Sequence, residues 1–230
     1  MKRSLTFPIL LIICSLLMTI CGTSTGLSQF EGIIESRNTT TDEHGKPQQF
    51  MMTMYIRHDM VKIQNSPTSS SPGSVMIYRG DKKALWMVSE EDKSYFEVRQ
   101  DERPEELYSP SASDATQPVV RKTGRKRQVL GYNCEQLMVR ADNLETELWA
   151  TKSLGQVYST ISKVLGSEST AQGESWENTI MKMGYYPLIA TTRVDGKILE
   201  SQEVTRIEKK LLAQEMFELP PGYKKQSAGE

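Results

Sequence analysis

Hydrophobic and polar residues alternate with a period of two through much of the chain from Phe30 onward. The clearest run is Gln49–Arg57, where Phe50, Met52, Met54 and Ile56 fall on one face of an extended strand. Four shorter runs follow, separated by polar turns: Met60–Gln64, Ser74–Tyr78, Ala84–Val88 and Ser94–Val98. These polar connections are too short to contain a crossover helix. The spacing therefore predicts antiparallel hairpins.

The alternation stops at residues 100–117, which are rich in Pro, Ser and acidic residues and are predicted to form an exposed loop. It resumes in Val119–Lys122 and Arg125–Arg140, with Thr123–Gly124 as the predicted turn between them and a bulge or bend near Gly131. Thr146–Thr151 supplies one more strand.

Helical spacing replaces strand spacing in Ser153–Gly166, where a capping-box pattern precedes a stripe of apolar residues: Leu154, Val157, Tyr158, Ile161, Val164 and Leu165. A shorter helix carries Trp176, Ile180 and Met183 and ends at Gly184. Two strands then return, Tyr186–Val194 and Lys197–Ile207, joined by the strong hairpin signal Asp195–Gly196.

The amino terminus has the layout of a signal peptide. Lys2 and Arg3 precede an uncharged, largely apolar stretch, and small residues end it before Gln29. We therefore predict a signal peptide at 1–28, and export to the periplasm or the outer cell envelope. A retained membrane anchor and lipid attachment at Cys21 are the alternatives. The rest, 29–230, is predicted to be a single domain with a helical insertion at about 153–184.

The composition of the chain limits the partners that it is expected to bind and the reactions that it is expected to catalyse. The whole chain has a formal charge of -1; loss of residues 1–28 removes Lys2 and Arg3 but no acid, which makes it -3. Nucleic acid is therefore not an expected partner. Cys134 is the one cysteine after that cleavage, and burial is its expected state. With no phosphate loop, zinc spacing or nucleophile motif in the sequence, we predict a protein that is not an enzyme and has no cofactor and no metal site.

Three segments resemble a family of exported bacterial proteins, the domain of unknown function 4412 family. They are GRKRQVLGYNCEQLMV (Gly124 to Val139), ETELWAT (Glu145 to Thr151) and FELPPGY (Phe217 to Tyr223). The resemblance implies a fold similar to that of the lipoprotein carriers (LolA/LolB-like). That fold is mainly β (α+β): a strongly curved antiparallel sheet, or incomplete β-barrel, covered by one or two helices. It implies no activity and no functional residues.

Methionine is clustered in one strand, at Met51, Met52 and Met54. Flexible thioether side chains fit irregular apolar shapes, so they can line a lipid-binding groove, but they also fill ordinary cores. A Cu(I) site is a third interpretation, although alternation leaves only Met52 and Met54 on one face. The candidate ligand-lining residues are Met52, Met54, Ile56, Trp86, Trp176 and Ile180.

A second candidate surface is basic. Five cations occur within seven residues: Arg121, Lys122, Arg125, Lys126 and Arg127. They are either a solvated turn or a contact with the anionic headgroups of a membrane surface, where each cation contributes about 1 kcal/mol.

The sequence therefore predicts a non-enzymatic envelope protein that binds a hydrophobic ligand, such as a lipid or an acylated molecule, in the concave face of its sheet. Peripheral membrane contact is part of this interpretation. The alternative is an envelope module with a fully packed core that contacts a protein partner through loops such as residues 100–117.

Overall fold

The computed structural model describes residues 30–41, 45–69, 71–99, 118–157, 160–161 and 176–226. Among these residues, the fold contains twelve strands and one α-helix whose two ends are both described. The strands are β1 (Gly32–Thr41), β2 (Pro47–Arg57), β3 (Met60–Asn65), β4 (Ser74–Arg79), β5 (Ala84–Ser89), β6 (Ser94–Arg99), β7 (Val119–Val129), β8 (Tyr132–Ala141), β9 (Leu144–Thr151), β10 (Tyr186–Val194), β11 (Lys197–Lys209) and β12 (Lys224–Lys225). The helix α1 spans Trp176–Lys182, and residues 155–157 and 160–161 are also helical.

All twelve strands belong to one sheet, in the order β12-β6-β5-β4-β3-β2-β1-β11-β10-β9-β8-β7. Every neighbouring pair is antiparallel except β12 and β6, which are parallel. The order starts at β12 and ends at β7, so the sheet is open. The predicted fold class, a mainly β protein built on one curved and unclosed antiparallel sheet, is confirmed.

The pairing register assigns each side chain to a face. Ile34 pairs with Met54, Met54 with Ile63 and Ile63 with Met76, so these residues share one face of the sheet, which we call the inner face. Ile33, Tyr55 and Ile77 lie on the opposite, outer face. The alternation predicted for Gln49–Arg57 is therefore confirmed, and it fixes which side of β2 is buried.

The centre of the inner face is covered by residues 154–157 and 160–161, which we call the covering segment. Leu154, Val157 and Ile161 of this segment form one core cluster with the inner-face residues Ile34 and Met54. At the β8–β10 end, Ile180 of α1 packs in a second cluster with other buried residues: Leu137, Leu148 and Ala190. The predicted helical insertion between β9 and β10 thus meets the sheet at two places.

The carboxyl-terminal residues cover the outer face, which the sequence pattern did not predict. Residues 210–226 follow β11 and place Leu212 and Phe217 against Ile77 and Trp86 in a third core cluster. Phe217 is completely buried. We call residues 210–226 the strap. They run from the end of β11 across the outer face to β6, where β12 pairs with the edge of the sheet.

One predicted turn is wrong. Thr123 and Gly124 lie inside β7 at a shift of register between Lys122 and Lys126, and the chain reverses instead at Leu130–Gly131. Gly124 has a φ of +83° and sits where the extra length of β7 relative to β8 is absorbed as a bulge. The glycine that suggested a turn therefore bends a strand.

Several predictions lie outside the described residues. The signal peptide at 1–28, the alternative lipid site Cys21, the loop 100–117 and the end of the first predicted helix are among them. Within the described part of the chain, no helix has the length and hydrophobicity needed to span a membrane.

Candidate functional site

The inner face carries a row of directly paired apolar side chains that runs from the centre of the sheet to β6. Its members are Ile34, Met54, Ile63, Met76, Met87 and Phe96, each paired with the next. Exposure rises along the row, from 0% at Ile34 to 42% at Met87 and 39% at Phe96. The row is therefore closed at its centre and open to solvent at β5 and β6.

A second row runs beside it, through Ile56, Val61, Tyr78, Leu85 and Val98. Ile56 and Val61 are buried, whereas Leu85 and Val98 are only half-buried. The two rows together make a continuous apolar strip on β4–β6, which we call the methionine strip: Met76, Leu85, Met87, Phe96 and Val98. None of its side chains can take up or release a proton, so the strip can bind apolar matter but supplies no acid–base chemistry.

The predicted ligand-lining residues do not form one group. Met54 and Ile56 are 2% and 1% exposed and are packed under Leu154 and Val157. Met52 is half-buried against the same cluster. Other side chains of the protein already cover these three residues. They fill the centre of the inner face as in a packed core.

The other three lie elsewhere. Trp86 is on the outer face, in contact with the strap cluster, and its indole Nε1 donates a hydrogen bond to Glu97 at 3.0 Å. Ile180 is fully buried on α1, in the cluster at the β8–β10 end. Trp176 is the first residue of α1. The structure therefore brings Met52, Met54 and Ile56 together and separates them from Trp86 and Ile180.

The sequence identified the strands of the methionine strip but not the strip. The alternation of residues within β4 and β5 assigns Met76 and Met87 each to one face of its own strand. Only the register places them opposite each other and next to Phe96. Strand order and register come from long-range pairing, which the local pattern does not carry. The signal in the sequence that could have indicated the strip was the presence of methionine in successive strands of the predicted hairpins.

The basic residues of β7 have different neighbours: two lie near a carboxylate, one lies on an aromatic ring and two are exposed. Lys122 and Lys126 lie 3.4 Å and 3.8 Å from the carboxylate of Glu135 on β8. Arg127 stacks on Trp149, with its guanidinium carbon 4.0 Å from the ring centroid. Arg121 and Arg125 are exposed. The predicted cluster is therefore an exposed strand with cations on both faces, and its use in membrane contact stays a prediction.

Tyr185 links this basic strand to the chain just before β10. Its hydroxyl accepts a hydrogen bond from Lys122 Nζ at 2.8 Å and donates one to Glu135. That bond from Tyr185 is the main reason why the pKa of Glu135 lies below its ordinary value. Burial is the main reason why the pKa of Tyr185 is raised. Glu135 is thus held ionised next to the lysines.

Cys134 is buried, as predicted, with 1% of its surface exposed. Burial raises the pKa of its thiol, because a thiolate loses hydration there. No group of three or more His, Cys, Asp or Glu side chains able to hold a metal ion occurs among the described residues.

Comparisons with known proteins agree with this architecture. The family model described as "Domain of unknown function (DUF4412)" matches residues 30–223. The structure is similar to that of an uncharacterized conserved protein from Thermus thermophilus, with 11% identity, a TM-score of 0.50 and coverage of 85% of this chain and 90% of that one. At this identity the likeness concerns the fold alone.

Two other solved structures are more distantly similar. The MucA/MucB complex of Pseudomonas aeruginosa matches with 12% identity, a TM-score of 0.39 and coverage of 81% of this chain and 55% of that one. A DUF1329 family protein from Desulfovibrio piger matches with 11% identity, a TM-score of 0.31 and coverage of 84% and 91%. No curated protein matches the sequence.

Proposed function

The chain belongs to the DUF4412 family, and we propose that it is a non-enzymatic protein of the bacterial envelope that binds an acyl chain on the methionine strip of its inner face. This proposal keeps the hydrophobic ligand predicted from the sequence but moves the contact surface. Met76, Met87 and Phe96 replace Met54 and Ile56, because the latter two are already covered.

One observation carries the proposal: the described residues do not completely cover the apolar row on the inner face. Met87 and Phe96 are neighbours across β5 and β6, and each exposes about two fifths of its surface. Adjacent exposed apolar residues that continue a buried row mark a binding surface more often than a scattered surface residue does. The thioether of Met87 adapts to a flexible acyl chain, since it has no branched carbon and no polar atom that must be paired.

The location in the envelope rests on the amino-terminal sequence. Lys2 and Arg3 followed by the apolar stretch are typical of a signal peptide, and a carrier or sensor of acyl groups would act where exported lipids and lipoproteins occur. Mass spectrometry of the protein from a native envelope fraction would test this, with Gln29 expected as the first residue.

A second candidate function is a protein-interaction module without a ligand. The buried centre of the inner face favours it: Ile34 and Val61 have no exposed surface, and Leu154 and Val157 fill the space above them. In that case the methionine strip would contact a protein rather than a lipid. Crosslinking in intact cells would then trap a stable protein partner, and the purified protein would carry no lipid.

The decisive experiment measures the binding of fluorescent palmitate to the full mature chain. We expect Met87→Gln and Phe96→Gln each to weaken binding by about threefold to tenfold, because each loses roughly 1 kcal/mol of apolar contact. Met51→Gln is the matched control, since Met51 is 40% exposed against 42% for Met87 but lies on the outer face.

The outcomes separate the two functions. Binding that both inner-face variants weaken and Met51→Gln does not supports the acyl site. Binding that all three variants change equally contradicts it, because palmitate would then adhere to any exposed methionine. The absence of palmitate binding, together with no lipid extracted from protein isolated from its native envelope, also contradicts it and favours the interaction module.

A further inference from the structure

A pocket with a cavity volume of about 490 Å³ opens at the end of β7–β9 where the chain turns through Leu130–Gly131. This is far along the sheet order from the methionine strip, because five strands, β3, β2, β1, β11 and β10, lie between β4 and β9. Its volume is within the range of about 300 to 1,000 Å³ that is usual for small-molecule sites. The charged side chains that line it are Lys126, Arg127, Lys152 and Glu135.

Two of these cations are held in place by aromatic rings instead of carboxylates. Arg127 stacks on Trp149, and Lys152 Nζ lies 5.1 Å from the centre of the Tyr185 ring. Among the described residues, neither cation forms an ion pair with an acid. A cation–π contact fixes the position of a cation without neutralising its charge. Both cations line the pocket, Arg127 from the face of β7 and β8 that carries Cys134 and Lys152 from beside Tyr185, and both charges remain available to an anion there.

The acidic group among the described lining residues is already compensated. Glu135 accepts the hydrogen bond of the Tyr185 hydroxyl and lies within 3.8 Å of the ammonium groups of both Lys122 and Lys126. Lys122 itself lies 5.1 Å from the Tyr185 ring centre, so it faces the same ring as Lys152 does. The described lining residues therefore carry three cations, Lys126, Arg127 and Lys152, against one carboxylate.

Neutral polar groups complete the lining. Gln128, Asn133, Thr151 and Ser153 supply amide and hydroxyl groups around the cations. The guanidinium of Arg127 binds oxyanions through its N–H edge, which stays free when the flat face stacks on a ring. The same flat, forked geometry suits the paired oxygens of a phosphate group.

We propose that this pocket binds a phosphate group, either on a lipid headgroup or on a small soluble phosphate compound, with Arg127 and Lys152 as its main ligands. The inference does not rest on acyl binding, because the pocket and the methionine strip lie in different parts of the sheet. It assigns a defined site to part of the basic strand, whose predicted contact with a membrane surface stays a prediction. Lys152 and Tyr185, which lie outside that strand, are part of the site.

The test uses the mature chain and titrates it calorimetrically with inorganic phosphate and with glycerol 3-phosphate. A second arm measures sedimentation with vesicles of phosphatidylglycerol and of phosphatidylcholine. Arg127→Gln and Lys152→Gln are the test variants. Arg125→Gln is the matched control, because it removes the same charge from the same exposed strand but does not line the pocket.

We expect Arg127→Gln to weaken binding of the phosphate probe about tenfold and Lys152→Gln about threefold to tenfold, whereas Arg125→Gln changes it less than about twofold. If soluble phosphates bind with this pattern, the ligand is a soluble phosphate compound. If only phosphatidylglycerol vesicles bind and the same two variants weaken the binding, the ligand is a lipid headgroup.

Two results would overturn the proposal. In one, Arg125→Gln weakens vesicle binding as much as Arg127→Gln does, which shows that the strand acts through its total charge and not through the pocket. In the other, neither soluble phosphates nor phosphatidylglycerol vesicles bind to the unaltered protein at low salt, where electrostatic attraction is strongest.

Discussion

The two faces of β4–β6 differ in how far they are covered. Trp86 and Met87 are adjacent in β5, yet Trp86 is 6% exposed on the outer face and Met87 is 42% exposed on the inner face. The strap covers the first, while the described residues of the covering segment pack at the centre of the inner face and not in a cluster with the second. The outer face is therefore covered by the strap, whereas the described residues leave part of the inner face of the same strands exposed.

An ion network completes the cover of the outer face, whereas the methionine strip consists of apolar side chains alone. Arg79, at the end of β4, is almost fully buried and donates hydrogen bonds to Asp81 at 2.8 Å and 2.6 Å. It also donates a hydrogen bond to Glu218 of the strap, and Lys82 binds the same carboxylate at 2.9 Å. The strap is thus held by charge as well as by apolar packing. Four experiments test this difference between the faces.

The largest effect is expected from Phe217→Ala. Phe217 is completely buried between the strap and the outer face, so its removal leaves a cavity and loses apolar burial. The free energy of unfolding should fall by about 3 to 5 kcal/mol, measured by urea denaturation. Leu211→Ala is the control; Leu211 is 88% exposed and its loss should change stability by less than about 0.5 kcal/mol. Equal effects would contradict the strap's role.

Arg79→Met should have a smaller effect. It keeps most of the volume of the buried side chain but removes the hydrogen bonds to Asp81 and Glu218. Because those carboxylates are 46% and 39% exposed and can be hydrated, we expect a loss of about 1 to 2 kcal/mol. Arg140→Met is the control: its ion pair with Glu145 is on the surface, with the arginine side chain 73% exposed. An equal or larger loss there would contradict the argument.

The Arg79 network should also respond to acid. The hydrogen bond from Arg79 holds the pKa of Asp81 below its ordinary value of 3.8. A carboxyl whose pKa is lowered on folding stabilises the protein above its unfolded pKa, and this contribution is lost as the pH falls through the folded pKa. The stability difference between the unaltered protein and Arg79→Met should therefore be constant near neutral pH and shrink below a pH of about 4. A difference that grows on acidification would show that another group dominates.

The smallest effect on stability is expected from Met87→Gln. Its side chain is already partly hydrated, so the free energy of unfolding should change by less than about 0.5 kcal/mol. Binding of a hydrophobic fluorescent dye should nevertheless decrease, whereas Met51→Gln on the outer face should leave dye binding unchanged. A large loss of stability would mean that the methionine strip is a core and not a contact surface.

Local patterns predicted the strands and most of their hairpin partners, but not the pairings between strands that are far apart in the chain. The alternation in Gln49–Arg57 and the Asp195–Gly196 signal each corresponds to the observed element. The turn between β7 and β8 was misplaced because Leu130 takes a φ of 50° there, a conformation that leucine rarely adopts. The strap was missed because its packing depends on contacts between Phe217 and strands that lie far earlier in the chain.

The candidate sites were predictable only in part. The sequence identified the methionine-rich strands and the basic strand, which are local features. It could not show that Met54 is buried under the covering segment, or that Met87 and Phe96 are exposed, because both depend on contacts between residues far apart in the chain. Lys152 and Tyr185 join the basic strand through pairing of β8, β9 and β10, which is also a long-range property.

The parallel pairing of β12 with β6 has a consequence for the behaviour of the protein in solution. Lys224 and Gln226 donate backbone hydrogen bonds to Lys93 and Tyr95 at 2.9 Å and 2.8 Å, and so occupy peptide groups that another molecule could otherwise use. A chain that ends before Lys224 would present a bare flank beside Phe96, on which further copies could add strand by strand. The last residues of the described chain therefore block the addition of a further strand at this part of the β6 edge.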